Sequence, residues 1–421
     1  MLRRIVPVVV ALMLFAAVAI AADAPVTVHV PEFGTKMTPE QKAFLEAKAK
    51  EVYPNALQQV IDFVGNEKQV RKTFGDFHIQ IRDAKLKGNH FIGYSAYHWR
   101  GGDDYRFSKG SKVQSIYLVG QQFLAHPEQM QSVLVHEMLH VVYEAAYTKK
   151  RWHKMADFVQ EGISYMGAGQ TEEMIQCTIQ WTPPEFSAKK IMRRKVESGE
   201  KKRFGRIREV GFLWGFERVY GEAARKQVLT EMLKGKDYKK VFEAAAGKEW
   251  KELKKDVYSE LQMYVQNLLD EGGDYKPIYI ARDKRHRNKL IRLTAKFIEE
   301  NPESVWLERV YYDRAWAFGA KQRYDEALAL YEELRTGKKG SAMWDDHAAS
   351  SVVKLIALTG QYDQARAKYD EFYLLYPRFW GDYGRKIVAY VDKAEAQAKE
   401  NQVVVSETDQ VADAEGSEIK K

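Results

Sequence analysis

Positions 133–142 read VLVHEMLHVV, an apolar run interrupted by two histidines and a glutamate. In a helix, His136 and His140 lie one turn apart on the same face. Ionisable groups inside an apolar helix are costly unless they are paired or bind a metal. The spacing H-E-x-x-H therefore predicts a helix whose two imidazoles bind one zinc ion, with Glu137 within reach of a metal-bound water. The alternative is a pair of core histidines satisfied by hydrogen bonds.

A zinc site of this kind needs a third protein ligand and an open position for water. Glu161 is the candidate, 21 residues after His140. We predict that the histidine helix ends near Tyr147 and that a second helix runs from near Trp152 to Met166. At about 1.5 Å per residue, an antiparallel pair of such helices returns Glu161 to the level of the histidines. A surface carboxylate is the alternative for Glu161.

The composition limits what the chain can be. Its 421 residues are 45% hydrophobic, which excludes a wholly disordered chain, and the length predicts two or three domains. Because Cys177 is the one cysteine, an internal disulfide and a cysteine-rich metal site are excluded, and a metal must be held by His, Asp or Glu. The net charge is +8, but no nucleic-acid-binding motif accompanies it. We therefore expect no nucleic-acid partner.

The first 22 residues have the layout of a secretory signal peptide. Arg3 and Arg4 precede an uncharged apolar run at 5–21, and small residues at 19–24 fit two cleavage patterns. Cleavage would remove both arginines and lower the net charge from +8 to +6. The alternative is an uncleaved membrane anchor, although a span needs about 20 apolar residues. We expect an exported protein, periplasmic or extracellular, with no membrane span left after cleavage.

Residues 23–270 are predicted to form one α+β domain. A helix from Thr38 to Gly65 begins with the capping-box pattern Thr38-Pro39-Glu40-Gln41, and Pro54 is expected to kink or split it. From Pro127 onward the pattern is almost entirely helical. Three short runs of branched or aromatic residues predict the strands of a small sheet: 77–81, 91–94 and 113–119.

Beyond this domain the composition changes. Glycines and an aspartate, then Pro277 and a run of Arg, Lys and His, predict a linker at 271–287. An acidic segment without aromatic residues predicts a disordered tail at 397–421. The segment between them, 288–396, is predicted to be all-helical.

The segment 288–396 contains a repeat with a period of 38 residues. Small and aromatic residues at repeated offsets let paired helices pack alanine against aromatic rings, and in this the segment resembles tetratricopeptide repeats. The resemblance implies a concave face that binds a protein or peptide partner. An unrelated helical bundle is the alternative. The two copies are Tyr324-Asp325-Glu326-Ala327 with Tyr331 and Tyr362-Asp363-Gln364-Ala365 with Tyr369.

The histidine motif together with Glu161-Gly162 resembles the gluzincins, zinc metallopeptidases with H-E-x-x-H and a downstream glutamate ligand. The resemblance extends over about residues 35–268 and is strongest to exported peptidase-MA-like members. It implies a zincin-like α+β domain, a small sheet plus helices, followed by an all-α tetratricopeptide-like domain. It also implies an enzyme that hydrolyses peptide bonds in a peptide or protein substrate.

The same resemblance implies a role for each residue of the motif. Zinc would be held by His136, His140 and Glu161, and Glu137 would act as general base on the zinc-bound water. The strand before the motif helix, at 116–119, would be the sheet edge along which an extended peptide binds.

Two positions depart from the family pattern. Arg208 stands where many relatives have a tyrosine that hydrogen-bonds the developing oxyanion, so it is either an oxyanion donor or a surface charge. Tyr165 stands four residues after Glu161, where an aspartate often orients a histidine ligand. These departures motivate an alternative function, a non-catalytic binding or scaffold protein that uses the helical repeats and has a degenerate or structural zinc site. Export and basic charge alone suggest a third idea, action on cell-wall peptides.

Overall fold

The computed structural model describes residues 26–30, 37–82, 96–97, 113–147, 155–193, 196–198, 201–203, 206–336, 342–376, 379 and 383–400. The predicted signal peptide at 1–22 and the predicted strand at 91–94 lie outside these residues. Packing divides the described chain into two units, with the boundary between Glu271 and Gly272. Both units are mostly helical, and the described strands lie in the first.

The first unit contains a four-stranded sheet with the strand order β1-β2-β4-β3. β1, β2 and β4 run parallel, and β3 is antiparallel to β4. The predictions of strands at 77–81 and 113–119 are confirmed. The four strands are β1 (Val26–His29), β2 (Asp76–Arg82), β3 (Ala96–Tyr97) and β4 (Val113–Val119).

The inner position of β4 corrects the expectation that 116–119 is a sheet edge. β2 pairs with β4 on one side, where Ile79 lies opposite Ile116. β3 pairs with the other side of β4 at Tyr117 and Leu118. A strand that is paired on both sides cannot accept an added peptide strand at those positions. The edge strands of the described sheet are instead β1 and β3.

Helix α1 (Pro39–Val64) begins as predicted. Gln41 N donates to the Thr38 hydroxyl at 3.2 Å, and Thr38 N donates to the Gln41 side chain at 2.9 Å, so the capping box is confirmed. The expectation that Pro54 splits the helix is wrong, because α1 continues through it. Apolar residues of α1 are buried on both sides of Pro54, and their burial outweighs the roughly 3 kcal/mol that an interior proline costs.

The core of the first unit is centred on α4, the helix of the histidine motif. Eleven of its 17 residues are buried, among them Glu137 and His140. α4 packs against α1 and α5, and α5 packs against α8 and α9. Besides a short hairpin of β5 (Val196–Ser198) and β6 (Lys201–Arg203), the described elements are α2 (Glu67–Thr73), α3 (Gly120–Ala125), α4 (Met130–Ala146), α5 (Asp157–Gly167), α6 (Thr171–Gln180), α7 (Ala188–Arg193), α8 (Arg206–Val210), α9 (Phe212–Met232), α10 (Tyr238–Ala246) and α11 (Trp250–Glu271).

The second unit is helical throughout its described part. From α12 to α17, each helix packs against the next helix in the chain. This nearest-neighbour packing is compatible with a helical repeat domain. The helices are α12 (Lys276–Asp283), α13 (Arg287–Glu300), α14 (Leu307–Gly319), α15 (Tyr324–Arg335), α16 (Ala342–Leu358), α17 (Tyr362–Leu375) and α18 (383–400).

The segment predicted as a linker at 271–287 contains a helix, which corrects that prediction. Pro277 lies in the first turn of α12, where a proline needs no hydrogen-bond partner for its nitrogen. Ile278 and Ala281 are buried, so α12 belongs to the core of the second unit. The proline therefore marks the start of a helix rather than its absence.

Both copies of the repeat begin a helix. α15 starts at Tyr324 and α17 starts at Tyr362. Ala327 and Ala365 are fully buried at the same offset within these helices. The repeated alanines therefore serve helix packing, as expected of paired helices whose closest contacts are made by small residues.

The predicted tail at 397–421 begins too early, because α18 continues to residue 400. Lys399 Nζ lies 2.7 Å from Glu395 Oε1 one turn earlier, and this pair supports the last turn. Residues 401–421 lie outside the described part of the chain. Among the described helices, none combines the length and the apolar character needed to cross a membrane.

Candidate metal centre

Two helices of the first unit carry the predicted ligands. α4 ends at Ala146, next to the predicted end at Tyr147, which confirms that prediction. α5 begins at Asp157 rather than near Trp152, which corrects the other. Ala156 is extended, with φ −66° and ψ 135°, and Asp157 places a negative charge in the first turn, where it suits the helix dipole.

The structure brings His136, His140 and Glu161 together. The two histidine Nε2 atoms are 3.2 Å apart. Glu161 Oε2 lies 3.7 Å from His136 Nε2, and Glu161 Oε1 lies 3.9 Å from His140 Nε2. All three residues therefore direct a metal-ligating atom into one small volume, within 4.8 Å of one another.

The three side chains differ in their access to solvent. The His140 side chain is 7% exposed and the His136 side chain is 12% exposed, whereas the Glu161 side chain is 35% exposed. The imidazoles thus approach the cluster from the core, and the carboxylate approaches it from the surface. A water molecule or a substrate group would reach the cluster from the side of Glu161.

The donor set fits zinc. In a tetrahedral site with zinc–nitrogen bonds of about 2.0–2.1 Å, neighbouring ligand atoms lie about 3.3 Å apart. The separation of 3.2 Å between the two Nε2 atoms is close to that value. Each Glu161 oxygen lies beyond hydrogen-bond range of its nearer imidazole nitrogen, about 0.4–0.6 Å farther than that spacing. Two imidazoles and one carboxylate leave a fourth position open.

Glu137 lies beside this cluster in the interior. It is 4% exposed, and burial, with a further contribution from the negative charge of Glu161, raises its pKa well above the usual value. A carboxylate with a raised pKa accepts a proton more readily near neutral pH than an exposed glutamate does. The environment of Glu137 therefore suits a general base.

Tyr165 is buried next to His136. Its ring is edge-on to the His136 ring, with centroids 4.6 Å apart and an interplanar angle of 80°. Tyr165 also lies one turn after Glu161 on α5, so it contacts the histidine from the helix that carries the carboxylate. The family resemblance leads one to expect an aspartate at position 165. This chain has a tyrosine there, and its ring packs against the His136 imidazole.

Arg208 contacts a different residue. It lies on α8, and its guanidinium carbon is 4.9 Å from the centroid of the Tyr258 ring. Burial raises the pKa of Tyr258 to about 12, and the positive charge of Arg208 opposes that rise. The cation–π contact gives Arg208 a packing partner, and its role as an oxyanion donor stays a prediction.

Gly162, which follows Glu161, sets how closely α5 approaches its neighbours. A Cβ atom at this position would lie 3.2 Å from Leu213 N and 3.3 Å from Glu209 O, both of them backbone atoms. Phe158, one turn earlier on α5, packs edge-on against Phe212 with centroids 4.7 Å apart. The junction of α8 and α9 thereby fixes the position of the helix that carries Glu161. A glycine inside a helix signals such a close approach, but the sequence does not say to what.

Comparison of the chain with protein-family models, with curated proteins and with solved structures gives no match.

Proposed function

We propose that this chain is a zinc-dependent metallopeptidase, with a zincin-like α+β domain in its first unit. The observation that supports it is the convergence of His136 and His140 Nε2, 3.2 Å apart, on the carboxylate of Glu161, with Glu137 buried beside them. Of the two alternatives for the histidines, core packing does not account for a partly exposed glutamate at the same point.

In this proposal His136, His140 and Glu161 hold the zinc ion. When bound, zinc would polarise the scissile carbonyl and lower the pKa of a water molecule to about 7. Glu137 takes a proton from the attacking water and delivers it to the nitrogen of the leaving amine. The Tyr165 ring keeps the His136 imidazole in its orientation by packing against it. The substrate class is a peptide or a protein, and its sequence preference is left open.

The second unit and the N-terminal segment have functions of their own in this proposal. We infer that the helices between 288 and 396 are tetratricopeptide-like and bind a protein or peptide partner, a proposal supported by the buried Ala327 and Ala365 at equal offsets. We also infer export to the periplasm or the extracellular space, which is supported by the signal-peptide pattern at 1–22.

A second candidate is a non-catalytic binding or scaffold protein with a structural zinc site. The observation in its favour is that the Arg208 guanidinium packs on the Tyr258 ring, which gives this side chain a structural contact. Here zinc would join α4 to α5, and the helical repeats would provide the working surface.

The deciding experiment compares the wild type with Glu137→Gln. The zinc content of each protein and its hydrolysis of a mixed peptide library are measured. For the peptidase, the variant keeps its zinc and loses about 10²–10⁴-fold in rate, the usual contribution of a general base. Wild-type activity in Glu137→Gln would overturn the mechanism. A zinc-loaded wild type that hydrolyses nothing in the library would favour the scaffold.

A further inference from the structure

The second unit carries a strongly basic segment at the junction of α12 and α13. Residues 282–289, here called the basic ridge, contain five Lys or Arg and one Asp, a net charge of +4. Residues 283–289 are all exposed. The peptidase proposal does not use this segment.

The basic ridge places four cations that have no carboxylate partner among the described residues within six positions of the chain, 284–289. Lys284, Arg285, Arg287 and Lys289 form no ion pair with any carboxylate in the described part of the chain. Some exposed cations elsewhere pair along their own helix, as Lys226 does with Glu222 at 2.7 Å, whereas the unpaired ones, such as Lys386 and Lys393, are not clustered to this degree. Clustered cations of like charge produce a positive local potential, which attracts an external anion.

A favourable interaction with a helix dipole explains two of these four cations. Lys284 and Arg285 follow the C-terminus of α12, where positive charge suits the helix dipole. Arg287 and Lys289, however, lie in the first turn of α13, where positive charge is unfavourable. That turn contains no acidic residue to offset them. Stabilisation of the helix dipole therefore does not account for Arg287 and Lys289.

A surface cavity of about 290 Å³ lies beside the basic ridge. Arg282 is held in its wall by the buried Asp313, whose Oδ1 lies 3.0 Å from Arg282 Nη1. Arg285 adopts a left-handed backbone conformation with φ 55°, which is rare for a residue with a side chain. The lining consists of two guanidiniums, two aromatic rings and one carboxylate: Tyr279, Arg282, Asp283, Arg285 and Trp316.

The size and lining of the cavity select the class of ligand. Pockets for drug-sized molecules start at about 300 Å³, so this cavity suits one or two side chains. Arginine beside an aromatic ring suits a carboxylate on an apolar stem. Asp283 repels a phosphate dianion more strongly than a carboxylate, which has one negative charge, and it can accept a hydrogen bond from a peptide N–H. A ridge of eight residues also exceeds what a single small anion would occupy.

We propose that the basic ridge and its cavity form a binding site for an acidic peptide segment of a partner protein, with one carboxylate-bearing residue in the cavity. This site is independent of the metal cluster and of the peptidase proposal. It requires only the second unit.

The test uses the full-length chain and a fluorescein-labelled oligoglutamate peptide, with binding followed by fluorescence anisotropy at low and high salt. Two variants probe the site: Arg285→Glu/Arg287→Glu for the ridge and Trp316→Ala for the cavity. The matched control is Lys386→Glu/Lys393→Glu, which makes the same charge change at exposed lysines of α18. An oligoglutamine peptide, inorganic phosphate and phosphatidylglycerol vesicles serve as alternative ligands, and thermal unfolding by circular dichroism checks that each variant folds.

The proposal expects the wild type to bind oligoglutamate and not oligoglutamine. The ridge variant should weaken binding about 10-fold or more, Trp316→Ala should weaken it several-fold, and the α18 control should change it little. No binding by the wild type, or equal loss in the control, would overturn the site. If Trp316→Ala did not change the affinity for oligoglutamate, the cavity would not be part of the binding site. Preferential binding of phosphate or of the vesicles would replace the peptide by a phosphate ligand and so refute the proposal.

Discussion

Each unit contains one cluster in which a carboxylate faces side chains that bear nitrogen atoms. The two clusters differ in the distances from the carboxylate to its partners and in the burial of the carboxylate. In the second unit the fully buried Asp313 accepts a hydrogen bond from Tyr275 at 2.5 Å and lies 3.0 Å from Arg282. In the first unit Glu161 is about one-third exposed and lies 3.7 and 3.9 Å from its two histidines.

This difference distinguishes a structural cluster around Asp313 from a candidate metal-binding cluster around Glu161. Donors of the same chain contact the Asp313 oxygens and offset part of the cost of burying them. The distances of Glu161 from the imidazoles are too long for direct hydrogen bonds and are close to those of ligands around a shared cation. A fully buried carboxylate with short contacts is typical of a group that stabilises the fold. A partly exposed carboxylate at a longer distance from its neighbours is typical of a group that binds a ligand.

The largest expected effect is on the structural cluster. We predict that Asp313→Ala lowers the free energy of unfolding of the second unit by about 3–5 kcal/mol, because it leaves Arg282 and Arg309 without their buried counter-charge. Denaturant unfolding followed by circular dichroism measures this. The control, Asp363→Ala, removes a fully exposed carboxylate and should change little. Equal midpoints for Asp313→Ala and the wild type would contradict the comparison.

The same residue predicts a dependence on pH. Burial raises the pKa of Asp313 from 3.8 to about 6, although Arg309 and the hydrogen bond from Tyr275 oppose the rise. Between these values the folded protein holds a proton that the unfolded chain has lost. The contribution of Asp313 to the free energy of unfolding therefore falls by about 3 kcal/mol as the pH rises through this window, and it is constant above it.

Asp313→Asn isolates that contribution. The difference in unfolding free energy between the wild type and Asp313→Asn should decrease from about pH 4 to about pH 6. A difference that stays constant over this range would show that Asp313 titrates at its ordinary pKa in the folded protein.

Removing the carboxylate of the open cluster should have a different result. We expect Glu161→Ala to weaken zinc binding by about 100-fold or more, because one of three protein ligands is lost, and to leave the unfolding of the metal-free protein nearly unchanged. Competition with a chelating dye measures the affinity. Glu172→Ala, an exposed carboxylate on α6, is the control and should bind zinc as the wild type does. If the two variants had equal zinc affinity, Glu161 would not be a ligand.

The smallest expected effect tests how the open cluster is positioned. Gly162→Ala places a methyl group 3.2–3.3 Å from backbone atoms of Leu213 and Glu209, so α5 must shift by a few tenths of an ångström. We predict a loss in zinc affinity of about 10-fold, since Glu161 moves with the helix. Gly75→Ala, whose methyl group would make ordinary contacts at 3.7 and 3.9 Å, is the matched control. Equal affinity in both variants would mean that α5 tolerates the shift.

Much of the candidate site could be predicted from the sequence because its signals are local. The i,i+4 spacing places His136 and His140 on one helix face whatever the rest of the chain does. The number of residues between α4 and α5 was enough to bring Glu161 back, even though α5 starts later than predicted. The capping box at Thr38 and the strands of β2 and β4 are local patterns as well.

Other features escaped prediction because they depend on distant parts of the chain. β4 is an inner strand only because the short β3, some twenty residues earlier, pairs with it. Pro277 begins a helix because Ile278 and Ala281 find a core to pack against. Local composition predicts where turns and helix breaks are favoured. It does not show which segments pack together, and such packing can stabilise a helix or a strand where composition favours a turn.

The sequence by itself determined the donor set of the candidate centre, since one cysteine leaves a metal to His and carboxylate ligands, and helical spacing orients two of them. Only the tertiary structure decided which contacts those residues make. It buried Glu137, packed Tyr165 on His136 and placed Arg208 on Tyr258. The physical reason is that spacing along a helix is fixed by its hydrogen bonds, whereas desolvation and ring packing depend on side chains from distant segments.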